Sequence, residues 1–569
     1  MPPSHVWRIA IVGGGPRGLA ACEAMAIRAR ENGLSVALTL FDPEPRPGAG
    51  PNYDPAQTEL NRLNIPGRAI SIPASPLAGA DPVAGFARWA QARTDAYDED
   101  HYPPRAELGR YLSERFEALV AALPGGVSLE HARAQVRSAR RGEDGWHLEA
   151  GGEWRGPFDD LLLSPGHLVT EPDAQLARWQ DHARESGAVL MDAYPSHRVL
   201  EASGSWAGRA VGIRGLGLSA IDVIGLLSQG AGGRFEEQED GTLSYVASGR
   251  EPSRIVPFSL DGLPPAPKPA NARIDALYDV GQEHSRAFSA ALDAALSEDP
   301  DQALATICSA VAEATVAALE AMGHPEVGAE IAPWLARERT QGATHEDADA
   351  PPAELLGRTL AMANGTLAPS PGYAIGQIWR KLQTPLRKGY NPRAVDPRIG
   401  EALVTFDEGL KRYSYGPPAR AAAEMLALIE ADLLDLRAAD DPDIVTSADG
   451  WTLGSGTHAV EIAVMIDSVL SSPVLGKVDD PLIARLRAEG LLVPYGEGLG
   501  AHVTAQGQAI AANGEPVAGL SLVGRLAIGS VIATDSVHDC FGAAVSRWAD
   551  AVAGHAGSAA LSAAFAATS

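Results

Sequence analysis

Cysteine is nearly absent from this chain of 569 residues: Cys22, Cys308 and Cys540 stand isolated and odd in number. They cannot build a disulfide framework, and without a Cys-x-x-Cys pair there is no dithiol relay for electrons. Positive charge is scarce too. Lys and Arg total 46 against 72 Asp and Glu, a formal charge of −26. That excludes nucleic acid and anionic membrane as main partners, because phosphate surfaces are gripped by basic residues. No uninterrupted apolar run reaches the ~18 residues of a spanning helix. The N-terminus enters its first strand with no charged n-region or cleavage site, so the chain reads as cytoplasmic. The 14 histidines are scattered. No His-Glu-x-x-His, Gly-x-Ser-x-Gly or Walker A pattern occurs, and no metal site is expected.

Apolar content of 45% and charged content of 21% are those of a globular protein. The length exceeds one ordinary core, which predicts two or three domains. The chain is organised around Arg8 to Ala20. There an apolar run, Ile9 to Val12, enters Gly13-Gly-Gly-Pro-Arg-Gly18, and a helix-compatible segment follows. In that context Gly-x-Gly-x-x-Gly is a dinucleotide fingerprint. Gly13 permits the turn, Gly15 lets the backbone approach a pyrophosphate, and Gly18 lets helix and strand pack closely. The helix N-terminus supplies N–H groups and a positive dipole end. A second strand, Ser35 to Phe41, ends at Asp42, where an acid for a ribose hydroxyl belongs.

A second fingerprint lies some 200 residues on. Strand residues Ala210 to Ile213 lead to Gly215-x-Gly217-x-Ser219-Ala220 and a helix. Ala fits the third position, which needs only a small side chain. Two nucleotide folds in one chain imply two nucleotides that meet, for which electron transfer is the natural reason. The next strand, Leu243 to Ala247, ends in Ser248-Gly-Arg250. A Ser and an Arg in place of an acid suit the 2′-phosphate of NADPH; Arg250 could equally pair with Glu251 or face water.

Between the fingerprints, Pro43 to Tyr53 is a Pro/Gly loop, either a surface connection or a cofactor wrap. Asn64, ahead of an Ile-Pro break, either satisfies its own turn or turns its amide to a flavin. His131 to Arg155 alternates like a meander, and Phe158 to Leu163 is a buried strand running into Ser164-Pro-Gly166, where a flavoprotein chain would pass its cofactor again. Pro264 to Pro269 reads as a linker. Helical patterns follow at 283–296, 301–322 and 417–438, within an insertion of about 270–440. Inside it Trp379 to Arg393 is the densest basic stretch, either a solvated face or, through Arg387, Lys388 and Arg393, a carboxylate or phosphate holder. Residues 449–464 return to strands. Leu520 to Val523, the turn ending at Gly529 and a helix from Val537 to Val552 would complete the first domain, with Asp535, His538 and Asp539 near the flavin. The tail after Gly554 reads as frayed.

The fold class is therefore α/β, with two Rossmann-like domains for FAD and NADPH and a mainly helical insertion. The domains fall at 1–205 with 445–555, at 206–268, which later segments could complete, and at 270–440, with 556–569 as tail.

The two fingerprints, with Leu163-Ser-Pro-Gly-His167 between them, resemble the two-dinucleotide flavoproteins. Gly-Leu-Gly-Leu-Ser-Ala-Ile-Asp222 is similar to the NADPH motif of class B flavin monooxygenases and N-hydroxylases. Where those carry Phe-x-Gly-x-x-x-His, this chain has Met191-Asp-Ala-Tyr-Pro-Ser-His197, keeping only the histidine. Gly50-Pro-Asn-Tyr53, Leu63-Asn-Ile-Pro66, Pro104-Arg105 and Tyr415-Gly-Pro-Pro418 resemble bacterial FAD/NAD(P)-binding proteins, whose relatives include N-oxygenases of small amino acids such as the nitrosuccinate-forming aspartate type. The resemblance implies that Gly13, Gly15, Gly18, Asp42, Ser164, Gly166 and Gly529 hold FAD. Gly215, Gly217, Ser219, Ser248 and Arg250 would hold NADPH, and Asn64 would stand at the reactive flavin carbon. The activity implied is oxygen insertion from O₂ through a flavin C4a-hydroperoxide into the nitrogen of a small amino acid or amine, with His197 or His538 assisting deprotonation. The alternative is an NAD(P)H-dependent flavin oxidoreductase that passes electrons to a quinone or partner without inserting oxygen. A homo-oligomer is compatible with either.

Overall fold

The computed structural model describes residues 5–77, 84–93, 98–341, 350–455, 459–534 and 536–568. Its first sheet has six strands in the order Gln508–Ile510, Pro516–Leu522, Asp160–Leu163, Trp7–Val12, Val36–Phe41 and Val127–Ala132. Trp7–Val12 lies between two parallel partners, with Ile11 opposite both Leu40 and Leu162. Ile9, Ile11 and Leu161 to Leu163 are fully buried, which is why these strands read as continuous apolar runs. The helix Pro16–Asn32 opens on a first-turn proline and stops at Gly33, whose φ of 63° makes a left-handed cap. Its alanine-rich face packs against Val545, Trp548 and Val552 of Ala543–Thr568, so the C-terminal segment closes the first domain. Trp548 is fully buried there, and truncating such a side chain costs about 3–5 kcal/mol. The terminal helix is broken, however: Val537–Cys540 is a single turn, and the long helix begins only after Gly542.

The second sheet is parallel throughout, in the order Arg254–Phe258, Ala210–Arg214, Val464–Asp467 and Val189–Asp192. Against it packs a small antiparallel sheet, 444–462, through Trp179, Phe258, Trp451 and Met465. These pairings correct the domain boundaries read from the sequence. Residues 189–192 and 444–467 belong with the second sheet, whereas the sequence reading placed both in the first domain. The strand Leu243–Val246 leaves the second sheet altogether and pairs only with Arg234–Glu237 in a hairpin.

The helical part runs from Ala272–Asp275 to Ala419–Glu430 around a core that includes Leu292, Val311, Trp379, Leu386 and Tyr413. Pro300–Met322 is long and apolar enough to cross a membrane, but Ile307, Val311, Ala314 and Leu319 are spent on that core. The expected helix over 417–438 stops at Glu430. Asp432 takes a φ of 56°, and the chain then runs extended beside Arg254–Phe258, with Leu434 bridged to Ile255 and Asp440 to Ser259. Nor is Pro264 to Pro269 a solvated linker. Ala266 and Lys268 are buried, and the Ala266 N–H donates to Arg412 O while the Lys268 N–H donates to Pro417 O. Prolines suit such a threaded segment because they bring no N–H that needs a partner.

Candidate active site

Both fingerprints form the turn that their spacing requires. Gly13 has a φ of 105°, and a Cβ there would lie 2.2 Å from Ser164 O; a Cβ on Gly18 would lie 2.0 Å from Gly13 O. Gly215 repeats the first feature, with a φ of 102° and Ser468 Oγ at 2.7 Å from a notional Cβ. The second glycine of each turn differs. Gly15 and Gly217 are the N-caps of their helices, with ordinary φ values of −71° and −88°. A Cβ on Gly15 would meet nothing nearer than Gly50 Cα at 3.8 Å, and one on Gly217 would meet nothing within 4 Å. Neither the fold nor the backbone conformation demands glycine at these two positions. The bare space lies over helix N-terminal N–H groups, the place where a pyrophosphate is held. The residues present therefore fit two dinucleotides.

Asp42 sits under the first turn, 8% exposed. Its Oδ2 accepts from the Gly14 N–H, and its Oδ1 accepts from the Glu44 N–H at 2.8 Å. A carboxylate has lone pairs to spare beyond these, so it can still accept from a ribose hydroxyl. The Ser164 hydroxyl donates to Gly13 O at 2.9 Å and stitches the strand end to the turn. Gly166 follows in the left-handed region at φ 70° with open space around it. Arg17, inside the fingerprint, reaches Thr534 O and Asp539 Oδ2 (3.2 Å), tying the C-terminal segment to the first helix.

A buried strut links the two nucleotide units. Arg105, which opens the helix Arg105–Ala121, meets Asp222 of the second fingerprint helix at 2.7 Å, with side chains 18% and 10% exposed. Tyr194 donates to Asp222 Oδ2 at 2.5 Å and accepts from Arg105 Nη1 at 3.1 Å. Burial pushes the Asp222 carboxyl up, against the pull of Arg105 and Tyr194. Arg105 also donates to Arg62 O at 3.2 Å, which places the 60–66 loop at this junction.

Asn64, in that loop, is held from the helical side. Its amide donates to Tyr415 O at 3.4 Å, and the Lys268 ammonium donates to its backbone carbonyl. Beside Lys268 lies an ion network around Asp275, which accepts from Arg380, from Lys381 at 2.8 Å and from Arg68 at 3.4 Å. Burial lowers the Lys268 ammonium to about 7, with Arg380 adding to the fall and Asp275 opposing it. Asn64 thus stands where the first domain, the second domain and the helical part meet.

Other expected site residues lie elsewhere. Ser248 and Arg250 are exposed in the turn after the hairpin. The adjoining segment bonds to the start of Ala210–Arg214, with Gly208 N–H donating to Glu251 O and Ser253 N–H to Arg209 O. Both residues are therefore at the N-terminal ends of the parallel strands, opposite the C-terminal ends where Gly215 and Gly217 lie. The strand end beside the fingerprint carries Ser259 and Asp261, joined by a 2.8 Å hydrogen bond. Gly529 is buried, and a Cβ there would strike Tyr495 Cδ1 at 2.5 Å, so it is glycine for packing rather than for exposure to a ligand. His197 is exposed on the short helix Ser196–Ser203, outside the cluster around Asn64. Among the basic residues, Lys388 is exposed, Arg387 donates to Thr384 at 3.4 Å, and Arg393 pairs with Asp293 at 2.7 Å. The first half of that helix, with Arg380 and Lys381, reaches the cluster instead. Asp535 and the His538 side chain lie outside the described residues. The thiols are buried, and burial raises Cys22 and Cys308 to about 12, which keeps both as neutral thiols near neutral pH. Among the described residues no cluster of metal-ligating side chains occurs.

Residues 10–168 match the family described as FAD-NAD(P)-binding. The chain is 28% identical over 556 residues to a nitrosuccinic acid synthase of Aspergillus oryzae, covering 86% of this chain and 82% of that protein. It is 30% identical over 289 residues to an L-aspartate N-monooxygenase (nitrosuccinate-forming) of Streptomyces davaonensis, covering 45% of this chain and 44% of that one. The match to the Streptomyces protein thus spans under half of its length. Among solved structures, the reduced form of ornithine hydroxylase from Pseudomonas aeruginosa aligns with a TM-score of 0.50 at 11% identity, over 97% of this chain and 100% of that one, a likeness of fold.

Proposed function

We propose that this two-dinucleotide flavoprotein is a FAD-dependent, NADPH-consuming N-oxygenase of a small amino acid. The observation that carries the reading is the pair of uncovered helix N-termini at Gly15 and Gly217, each glycine unexplained by the fold, on two sheets joined through Arg105 and Asp222. The names of the relatives support the reaction class and the choice of an amino acid.

When bound, NADPH supplies hydride, and FAD supplies the electrons and the O₂ activation that side chains lack. The chain's own part is to hold and to shield. Gly13 to Gly18 and Asp42 would hold FAD, with Ser164 fixing the turn; Gly215 to Ser219 would hold the nicotinamide nucleotide. The Arg105–Asp222–Tyr194 strut fixes the second helix relative to the first domain, so that two dinucleotides held by their pyrophosphates at the two N-termini would keep one geometry. The Asn64 amide, pinned by Tyr415 O and by Lys268, offers an uncharged hydrogen-bonding group at the junction. The substrate ammonium must lose its proton before its nitrogen can attack, and the low-dielectric surroundings favour the neutral amine.

The test is turnover of an amino-acid panel, L-aspartate included, under ¹⁸O₂ with NADPH and FAD. Label bound to nitrogen in one product, with NADPH consumed in step, is the expected result. NADPH oxidation that yields only hydrogen peroxide with every amino acid, or electrons delivered to a quinone without label, would overturn the reading.

A further inference from the structure

Lys268 is the one buried lysine among the described core residues, 7% exposed and clamped between Pro267 and Pro269. Its segment is fixed from both sides, with Tyr373 donating to Pro267 O at 3.0 Å and the Lys268 N–H donating to Pro417 O at 2.9 Å. The ammonium has a carbonyl partner, Asn64 O, but no carboxylate forms an ion pair with it among the described residues.

The neighbouring charges explain why this matters. Arg68 pairs with Asp100 at 2.7 Å, Lys381 with Asp279 at 2.6 Å, and Arg380 with Asp275. Each of those cations has its own carboxylate, and Lys268 is left over. Tyr102, Tyr278 and Tyr373 face the same network, and burial raises all three, so none supplies a phenolate near neutral pH. Charging a buried lysine without a counter-ion is costly, which favours its neutral amine, and the protein keeps this one beside Asn64 at the meeting point of its three parts. An incoming anion removes that cost.

We propose that Lys268 is the anchor for a carboxylate of the substrate, an assignment that rests on the amino-acid N-oxygenase reading above. On binding, the neutral amine of Lys268 takes one proton from solvent and pairs, as ammonium, with the ligand carboxylate. The amino group of the substrate is left for the reaction. The lowered basicity of the free enzyme gives this a thermodynamic signature. An anion raises the Lys268 value back toward that of an ordinary lysine, so binding takes up a proton at any pH between the two values. Below about pH 6 the uptake vanishes, because Lys268 is already charged.

The experiment is calorimetric titration of the FAD-loaded enzyme with succinate, which has no amine to be oxidised, in buffers of different ionisation enthalpy from pH 6 to 9. At pH 8 the expected uptake is about 0.9 proton per site. Lys268→Met should weaken succinate binding by about 30-fold or more and abolish the uptake, with FAD content unchanged. Lys268→Arg should bind without uptake. Binding at pH 8 with no proton exchange, or equal affinity in Lys268→Met, would overturn the anchor; the wild-type measurement decides even where Lys268→Met fails to fold. Turnover separates the two claims. Unchanged KM for L-aspartate in Lys268→Met removes the anchor and leaves the N-oxygenase, whereas succinate binding with uptake but no oxygenated amine leaves the anion site and removes the N-oxygenase.

Discussion

Replacing Gly15 and Gly18, one at a time, by alanine should give opposite results although both belong to one turn. At Gly18 the added methyl lies 2.0 Å from Gly13 O and 3.0 Å from Gly13 C, both backbone atoms. Relief requires the helix to lift off the strand, so the loss should match or exceed the upper end of the usual overpacking range, about 3 kcal/mol. At Gly15 the methyl has free space, and the backbone at φ −71° and ψ −167° accepts any residue. The apo-protein should be as stable as before, or about 0.4–1 kcal/mol more stable because the unfolded chain loses freedom. FAD must then approach over a methyl group, and a misfit of about 1–3 kcal/mol weakens binding about 5- to 150-fold. Thermal unfolding of flavin-free protein and flavin-fluorescence titration read the two effects separately. A Gly15→Ala variant that melts as early as Gly18→Ala, or binds FAD like wild type, would refute the argument that the second glycine is kept for a ligand.

The strut gives a second prediction. Asp222→Ala leaves Arg105 buried without its partner and should destabilise by about 3–5 kcal/mol, while Arg105→Met combined with Asp222→Leu should recover most of that in denaturant melts. Smaller losses in the single variant would mean that the pair is not the fastening between the units. Asn64→Ala should keep NADPH-dependent flavin reduction but divert turnover to peroxide, as followed by coupled peroxide and product assays; unchanged coupling would take Asn64 out of the site. Arg250→Ala should leave the KM for NADPH unchanged, because Arg250 lies at the end of the strands opposite Gly215. Asp261→Arg should lower that KM relative to the KM for NADH, since the strand end beside Gly215 then offers a cation in place of a carboxylate. A raised KM in Arg250→Ala would reverse this placement.

The two fingerprints were legible because strand, glycine turn and helix are contiguous in the chain, and Gly13, Gly18 and Gly215 answer local steric demands. Sheet membership was not local. Val189–Asp192 and Val464–Asp467 are short strands that find each other across more than 270 residues of chain, with Leu190 opposite Met465. Three apolar residues and an aspartate carry no sign of which sheet they join. The closing helix packs on Pro16–Asn32, but its break before Ala543 falls beside the contacts that Arg17 makes with Thr534 and Asp539, which no local pattern announces.

The misplacement of Ser248 and Arg250 has a specific cause. In a simple crossover the first strand after the fingerprint helix is the next strand of the sheet, and its end faces the nucleotide ribose. Here a hairpin, Arg234–Glu237 with Leu243–Val246, is interposed, so the true neighbour is Arg254–Phe258. The basic residues chosen from the sequence lie away from the Asn64 cluster for a similar reason. Arg387, Lys388 and Arg393 were favoured by charge density, but position along a helix is set by what its face packs on. Gln377 donates to Tyr413 O at 2.7 Å, and Arg380 and Lys381 follow one turn later on the same face, directed at Asp275. Lys268 escaped notice because prolines on both sides look like a linker. The usable signal was a lone lysine in an otherwise uncharged run from Leu263 to Ala270. An exposed linker gains nothing from that composition, whereas a buried segment that must deliver one cation to a site needs just those features.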